Sequence, residues 1–404
     1  MVITQEYFLQ QKTFTMKKLL TILLILFAFS NQSYSQLKVT IDGNFIREDL
    51  SQFNLLFGSQ NPIFYGGVVF VDENCDVLDI EVEYKFQDSI QCWVNLKNLK
   101  KGKDKEFFIL SSEFLPEHRY HNIWGNKNAV YHFDDLKDKS RNKNHFLSGN
   151  CTQWKSGYIG ETCIDVSSCY LSTGNMEVNY NRGFAIQCWV KMQMEGTQVN
   201  GLFSHENLWG FTRNKSYQSG FGYIFHDMSS LQYLCIPSIE GCLDWINNDD
   251  SWHHLVISVD TTSSQWLNIF LDGVDVGHLS YTPLPQITLN EGEFSIGWNS
   301  MSAQTPPYLN LGDFLIDELW YVNNPWTRER AITEFYNQKK DFHIFLIEDL
   351  SDDQNCIIMA ENDFEVSYYN LQGQVIEEPK SGVLFAELKT FTDGTRETKL
   401  KFIQ

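Results

Sequence analysis

The sequence predicts an all-β chain built on a sandwich plan, and three observations carry that expectation. Short runs with apolar residues at alternate positions follow one another, cut by Gly, Asn and Asp turn signals. One run, "SIQCWVNL" (Ser89 to Leu96), returns almost unchanged as "AIQCWVKM" (Ala185 to Met192), with Ile, Cys and Val alternating with Gln and Trp, the period of a strand with two distinct faces. Only "TRERAITEFYNQ" (Thr327 to Gln338) reads as a helix, with Thr327 as its N-cap.

Size and composition narrow the function classes. The 404 residues suffice for roughly two to three domains, and 43% hydrophobic with 15% aromatic content supplies their cores. A net charge of -20 and the lack of a Lys/Arg cluster argue against a nucleic-acid partner. The N-terminus has the order of a secretory signal: Lys17 and Lys18, the apolar run "LLTILLILFAF" from Leu19 to Phe29, then "SNQSYS". This assigns 1–35 to a signal peptide starting at Met16, with Ser33 and Ser35 meeting the small-residue rule for a cut after Ser35. The run falls short of the ~20 residues that span a bilayer, so no membrane span is expected in the mature form. Nine cysteines in an exported chain permit disulfides. Cys163 with Cys169, and Cys235 with Cys242, lie nearest turn signals and are the expected pairs, whereas Cys92 and Cys188 sit mid-strand as small buried hydrophobes. No CxxC or Cys/His zinc spacing occurs.

The elements then follow in order. Residues 36–125 hold "LKVTIDGNFI", "GGVVFVDENCDVLDIEVEY" and "SIQCWVNLKNLKKGKDKEFFIL", the last a strand, a Lys-rich turn and a returning strand. This segment resembles a bacterial domain of unknown function that stands before laminin G-like sandwiches, although "YGG" replaces that domain's usual acidic pair before the "F-x-D" strand. Residues 126–340 carry "NAVYHFDDLKDKSRNKNHF", "GYIGETCIDV", "FAIQCWVKM", "SWHHLVISVD", "LNIFLDGVDVG", "FSIGW" and "GDFLIDELWYVNNPWTRERAITEFYNQ". In this order they resemble a laminin G-like domain, a concanavalin A-like lectin/glucanase jelly roll. The resemblance implies a jelly-roll β-sandwich flanked by an N-terminal β-sandwich-like domain and a small C-terminal β-domain. The two CWV strands thus have flanks of different families and share a strand pattern, not a recent duplication. Residues 341–404, with Asn370, Gly373, Gly382, Val383, Lys401 and Phe402 at the matching positions, resemble the C-terminal sorting domain of the Bacteroidota type IX secretion system. That resemblance implies the type IX secretion machinery as a partner and a secreted or cell-surface location.

Chemistry is sparse. The β-glucanase branch of this jelly roll uses carboxylates alternating along one strand, so that acid and nucleophile share a face. In "LIDELWY" Asp317 and Glu318 are adjacent, which places them on opposite faces of a regular strand, and the resemblance makes the pair structural. His253 and His254 in "WHHLV" likewise face opposite sides and read as strand histidines. No G-x-S-x-G elbow, phosphate loop or H-E-x-x-H is present, so the chain reads as a non-enzyme. Two binding features remain. One face of "WLNIFLDG" must turn from the core, and if it holds Trp266 and Phe270 these form an aromatic strip that either stacks sugar rings or lies under an adjoining loop or domain. The loop "DKSRNKN" sets Asp138, Ser140, Asn142 and Asn144 at alternate positions, the hard oxygen ligands of a calcium site or equally an Asx-rich turn. The expected function is an exported, non-catalytic binding protein for a polysaccharide or surface protein. The alternatives are a glycoside hydrolase or lyase with an unrecognised site, and a structural envelope component.

Overall fold

The two CWV strands lie in two different sandwiches, and their tryptophans turn toward a common seam. In the computed structural model the described residues are 35–60, 67–74, 76–86, 89–112, 123–149, 151–167, 169–177, 183–192, 200–205, 209–214, 220–227, 230–235, 250–279, 291–297, 314–340, 342–349, 364–369, 375–376, 384–391 and 396–402. The signal-peptide segment 1–34 and the cysteine pair Cys235 and Cys242 fall outside the residues or side chains described. The chain divides into two compact units, 1–73 with 78–354, and 74–77 with 355–404.

The first unit begins with a small antiparallel sandwich. One sheet orders Phe345–Asp349, Ser35–Ile41, Lys105–Ser112 and Gly67–Asp72; the other orders Leu50–Gln60, Ser89–Leu99 and Ile80–Phe86. Phe345–Asp349, within the 341–404 segment of the sequence reading, pairs with the first strand from Leu37↔Asp349 to Ile41↔Phe345. Cys92, Val94, Phe57, Phe70 and Phe107 form its core. The second sandwich packs an eight-stranded sheet against a seven-stranded one. The larger sheet runs Val274–Leu279, Leu267–Leu271, His253–Val259, Phe184–Met192, Phe314–Val322, Thr162–Asp165 and Trp154–Ser156, with Ala129–Tyr131 also pairing on Phe314–Val322. The smaller runs Ser230–Cys235, Gly220–Asp227, Trp209–Asn214, Asn200–His205, Glu291–Ile296, Leu171–Glu177 and Phe146–Gly149. Ile186, Cys188 and Val190 face this core, as the alternation predicts. The second unit contributes a four-stranded antiparallel sheet ordered Val375–Ile376, Phe364–Tyr369, Leu384–Phe391 and Arg396–Phe402.

The outer face of the large sheet is covered. Trp93 and Leu56 of the small sandwich pack with Trp124, Trp189, Trp320, Trp326, Val256 and Phe270 in one buried cluster. The Arg328–Gln338 helix joins it through Ala331 and Phe335. Its N-cap forms as the sequence predicts, with Thr327 Oγ1 accepting from the Arg330 N–H at 3.0 Å. Its buried face is largely polar because it bonds both sandwiches. The Asn337 side chain accepts from the Leu56 N–H at 3.0 Å and donates to the Asn54 carbonyl at 2.8 Å, pairing an edge strand as another strand would. Gln338 accepts from Trp189 Nε1 at 3.0 Å and donates to Gln187 at 3.1 Å.

The expected cysteine pairing changes. Cys169 bonds to Cys151, which joins the start of one strand to a neighbouring loop of the same core, while Cys163 is buried and free. Cys163 lies on the short strand Thr162–Asp165, where its Sγ meets the Ser156 carbonyl at 3.4 Å instead. Cys92 and Cys188 are buried and free, as their mid-strand positions imply.

Candidate functional site

Residues singled out in the sequence take roles set by their neighbours. Trp266 is 1% exposed and packs in the jelly-roll core; Phe270 is 3% exposed and packs in the seam. They belong to different clusters and present no ring face to solvent, so the sugar-stacking strip does not form. The sequence pattern leaves one face of this strand open to water, whereas the small sandwich and the helix cover it. The alternative of a strip under an adjoining domain describes Phe270.

The Asp138 loop is a turn. Asp138 is buried, and its carboxylate accepts from the N–H groups of Val130, Ser140 and Asn144 and from Ser140 Oγ, at 2.7 to 2.9 Å. Asn142 and Asn144 each direct their side-chain NH2 at the Asn128 carbonyl, at 2.9 and 3.0 Å. Donors therefore converge where a calcium ion would need free oxygens, and the local-backbone reading of "DKSRNKN" accounts for every one of these contacts.

His253 and His254 face opposite ways, as the alternation requires. His253 Nδ1 meets Asp272 at 2.7 Å, and His254 Nε2 meets Gln187 Oε1 at 2.6 Å in the seam. Burial pulls the His254 pKa down to about 4, despite the Asp272 charge that raises it.

Asp317 and Glu318 depart from alternation. Opposite Gln187 and Trp189 the register shifts, and Glu318 takes a left-handed backbone with φ 49°. Ile316 and Leu319 both enter the core, so the intervening pair turns together to the seam side, the re-aiming that a β-bulge produces. Asp317 accepts from the N–H groups of Tyr158 at 2.7 Å, Ile159 at 2.9 Å and Glu318 at 2.9 Å. Burial, then the charge of Glu318, pushes its carboxyl well above the usual range.

The bulge delivers Glu318 to a buried cluster that the sequence reading did not find. His132 follows the strand Ala129–Tyr131 and is 3% exposed. Its Nδ1 lies 2.8 and 2.9 Å from the two oxygens of Glu318 and 3.2 Å from Glu83 Oε1. Its Nε2 lies 3.5 Å from Glu81 Oε1 and makes no hydrogen bond. Glu81 and Glu83 alternate along Ile80–Phe86, a spacing that puts both on one face, and this was the readable signal. Each carboxylate receives one indole N–H: Trp93 donates to Glu83 at 2.7 Å, Trp320 to Glu318 at 3.3 Å, and Trp124 to Glu81. Burial, with the charges of Glu318 and Glu81, raises the Glu83 carboxyl to about 7 against the lowering effect of His132. Burial lowers the His132 pKa, but Glu318 and Glu83 outweigh it and leave it well above the ordinary value.

Beside the seam is a cleft of about 360 Å³, lined among others by Gln91, Tyr158, Lys339, Lys340, Phe342 and His343. Tyr158 stacks on Trp189 with ring centroids 3.7 Å apart, and its hydroxyl accepts from the Lys340 N–H at 2.7 Å, so the cleft floor is fixed.

Residues 165–330, which make up most of the second sandwich, match the sequence profile of the concanavalin A-like lectin/glucanases superfamily. No curated protein matches the chain. Among solved structures, the receptor-binding domain of botulinum neurotoxin mosaic serotype C/D is 10% identical, with 68% of this chain and 72% of that chain covered and a TM-score of 0.39. Domain 4 of AbnA, an extracellular arabinanase from Geobacillus stearothermophilus solved with arabinotriose, is 19% identical over 52% of this chain and 98% of that chain, with a TM-score of 0.39. The ligand-binding domain of botulinum neurotoxin serotype D, solved with N-acetylneuraminic acid, is 8% identical over 68% and 72%, with a TM-score of 0.38. Among the described residues, no helix is long and apolar enough to cross a membrane.

Proposed function

We propose that the chain is an exported, non-catalytic binding protein that takes a glycan or a surface protein at the cell exterior. The observation that supports it most is the use of Asp317 and Glu318 on a lectin/glucanase-type sandwich. Asp317 is spent on three backbone N–H groups and Glu318 on His132, both fully buried. A glycosidase needs two carboxyl groups flanking a solvent-reachable bond. Export follows from the signal-like N-terminus and from the sorting-domain resemblance of 341–404, which also implies passage through the type IX machinery. The ligand site is the cleft, where Gln91, His343, Lys339 and Lys340 offer hydrogen-bond donors and positive charge beside the fixed ring of Tyr158.

A glycan and matrix-protein array probed with the purified chain tests this reading. Saturable binding is expected, weakened in a Gln91→Ala, His343→Ala double variant. Absence of any ligand above background contradicts the binding reading. Sugar release from polysaccharide that Glu318→Gln abolishes in a folded chain would replace it with the hydrolase reading.

A further inference from the structure

We propose that Glu83, His132 and Glu318 form a divalent transition-metal site that staples the two sandwiches together. One ligand atom from each lies within 4.8 Å of the others. Glu83 comes from the small sandwich, His132 and Glu318 from the jelly roll, so a shared ion crosses the seam. The Nδ1 to carboxylate distances of 2.8 to 3.2 Å bring donors of both sandwiches close enough for one ion to bridge them after small side-chain shifts.

Three further features point to an ion in addition to the cluster itself. His132 Nε2 is buried without a hydrogen bond and faces Glu81 at 3.5 Å. With the metal on Nδ1, the tautomer is fixed with its proton on Nε2, directed at Glu81, the carboxylate–histidine–metal relay that orients ligating imidazoles. The indoles of Trp93 and Trp320 each hold one of the two ligating carboxylates, leaving its remaining oxygen capacity for the ion. Charge gives the third: the carboxylates of Glu81, Glu83 and Glu318 surround a single imidazole in a buried site, and a divalent cation supplies the positive charge they lack. Nitrogen with two carboxylates and no thiolate favours zinc or manganese over calcium. Glu318 and His132 are almost fully enclosed, while the Glu81 side chain is 24% exposed and marks the access path. A closed set of this kind is structural.

The test uses the full chain, stripped with EDTA and titrated with zinc chloride and separately with manganese chloride. Calorimetry and elemental analysis should give one ion per chain, and the thermal midpoint should rise with metal concentration. Glu83→Gln keeps the size of the side chain and an acceptor for Trp93, and should abolish stoichiometric binding while the far-UV spectrum is unchanged. Glu81→Gln should weaken affinity about 10- to 100-fold, as loss of an outer partner does. Folded wild-type chain that binds neither ion, or a Glu83→Gln variant that binds as well as wild type, overturns the proposal. The second result would place the ion on other carboxylates.

Discussion

Acid should loosen the seam through His254, and the size of the effect can be worked out. His254 is completely buried, with Nε2 against Gln187 Oε1, while Gln187 in turn accepts from Gln338 and donates to the Glu318 carbonyl at 3.1 Å. Its folded pKa is about 4 against an unfolded value near 6.5. Between these values the unfolded chain binds a proton that the folded chain refuses. The contribution is therefore complete above about pH 6.5 and is lost as pH falls toward 4. From pH 7 to 4.5 this group alone should cost ~2 kcal/mol of stability. His254→Gln retains a donor toward Gln187 and cannot titrate. Urea melts of both proteins at the two pH values isolate the term, because acid effects of other groups are common to both. Wild type should lose ~2 kcal/mol more than the variant. Equal losses would refute the assignment of a buried neutral imidazole.

Three further outcomes follow from the seam and the loops. Lys127 is buried, 3.4 Å from Asn54 Oδ1 and 4.6 Å from the Trp320 ring centre, and burial followed by the charge of Arg330 lowers its pKa to about 7. From pH 7 to 9 the unfolded chain holds the proton more than the folded chain does, so wild type should gain ~2 kcal/mol that Lys127→Met, already more stable at pH 7, does not gain. Asp138→Ala should cost ~3 kcal/mol by stranding buried donors, and the drop in melting temperature should be the same in millimolar calcium and in chelator. Replacing Cys151 and Cys169 by serine should cost ~3 kcal/mol from loop entropy over a separation of 18 residues, read as a shift in urea midpoint with little change in slope.

What the sequence made legible was local. The period-two pattern of "IQCWV" located both strands and sorted their faces correctly, with Cys92 and Cys188 inward and Trp93 and Trp189 outward. The Thr327 cap located the helix, since capping is a bond to the next turn. Alternation could not show that the outward face meets the small sandwich and the helix, which is why Phe270 looked exposed, nor that Trp266 turns into the jelly-roll core. Nor could it show the bulge at Glu318, where one residue with positive φ turns two adjacent carboxylates to the same side. The buried cluster draws on positions 83, 132 and 318, and only folding brings them together. Its one local trace was the alternate pair Glu81 and Glu83, interleaved with the apolar residues Ile80 and Val82. The disulfide shows the same limit: nearness to turn signals suggested Cys163 for Cys169, while the sheet carries Cys151 to it.

The central claim is that the two sandwiches share one aromatic seam and are stabilised together. Hydrogen exchange on the full chain, wild type against Trp93→Ala, tests it most directly. Trp93 contacts Trp124 and Trp320 at 5.4 and 5.2 Å, so its loss opens the seam from the small-sandwich side. Removing so large a buried ring should cost ~3–5 kcal/mol. Amides of Ser89–Leu99 and of Phe314–Val322, one strand from each sandwich, should lose protection together and by similar factors. Loss confined to Ser89–Leu99, with Phe314–Val322 as protected as in wild type, would contradict it.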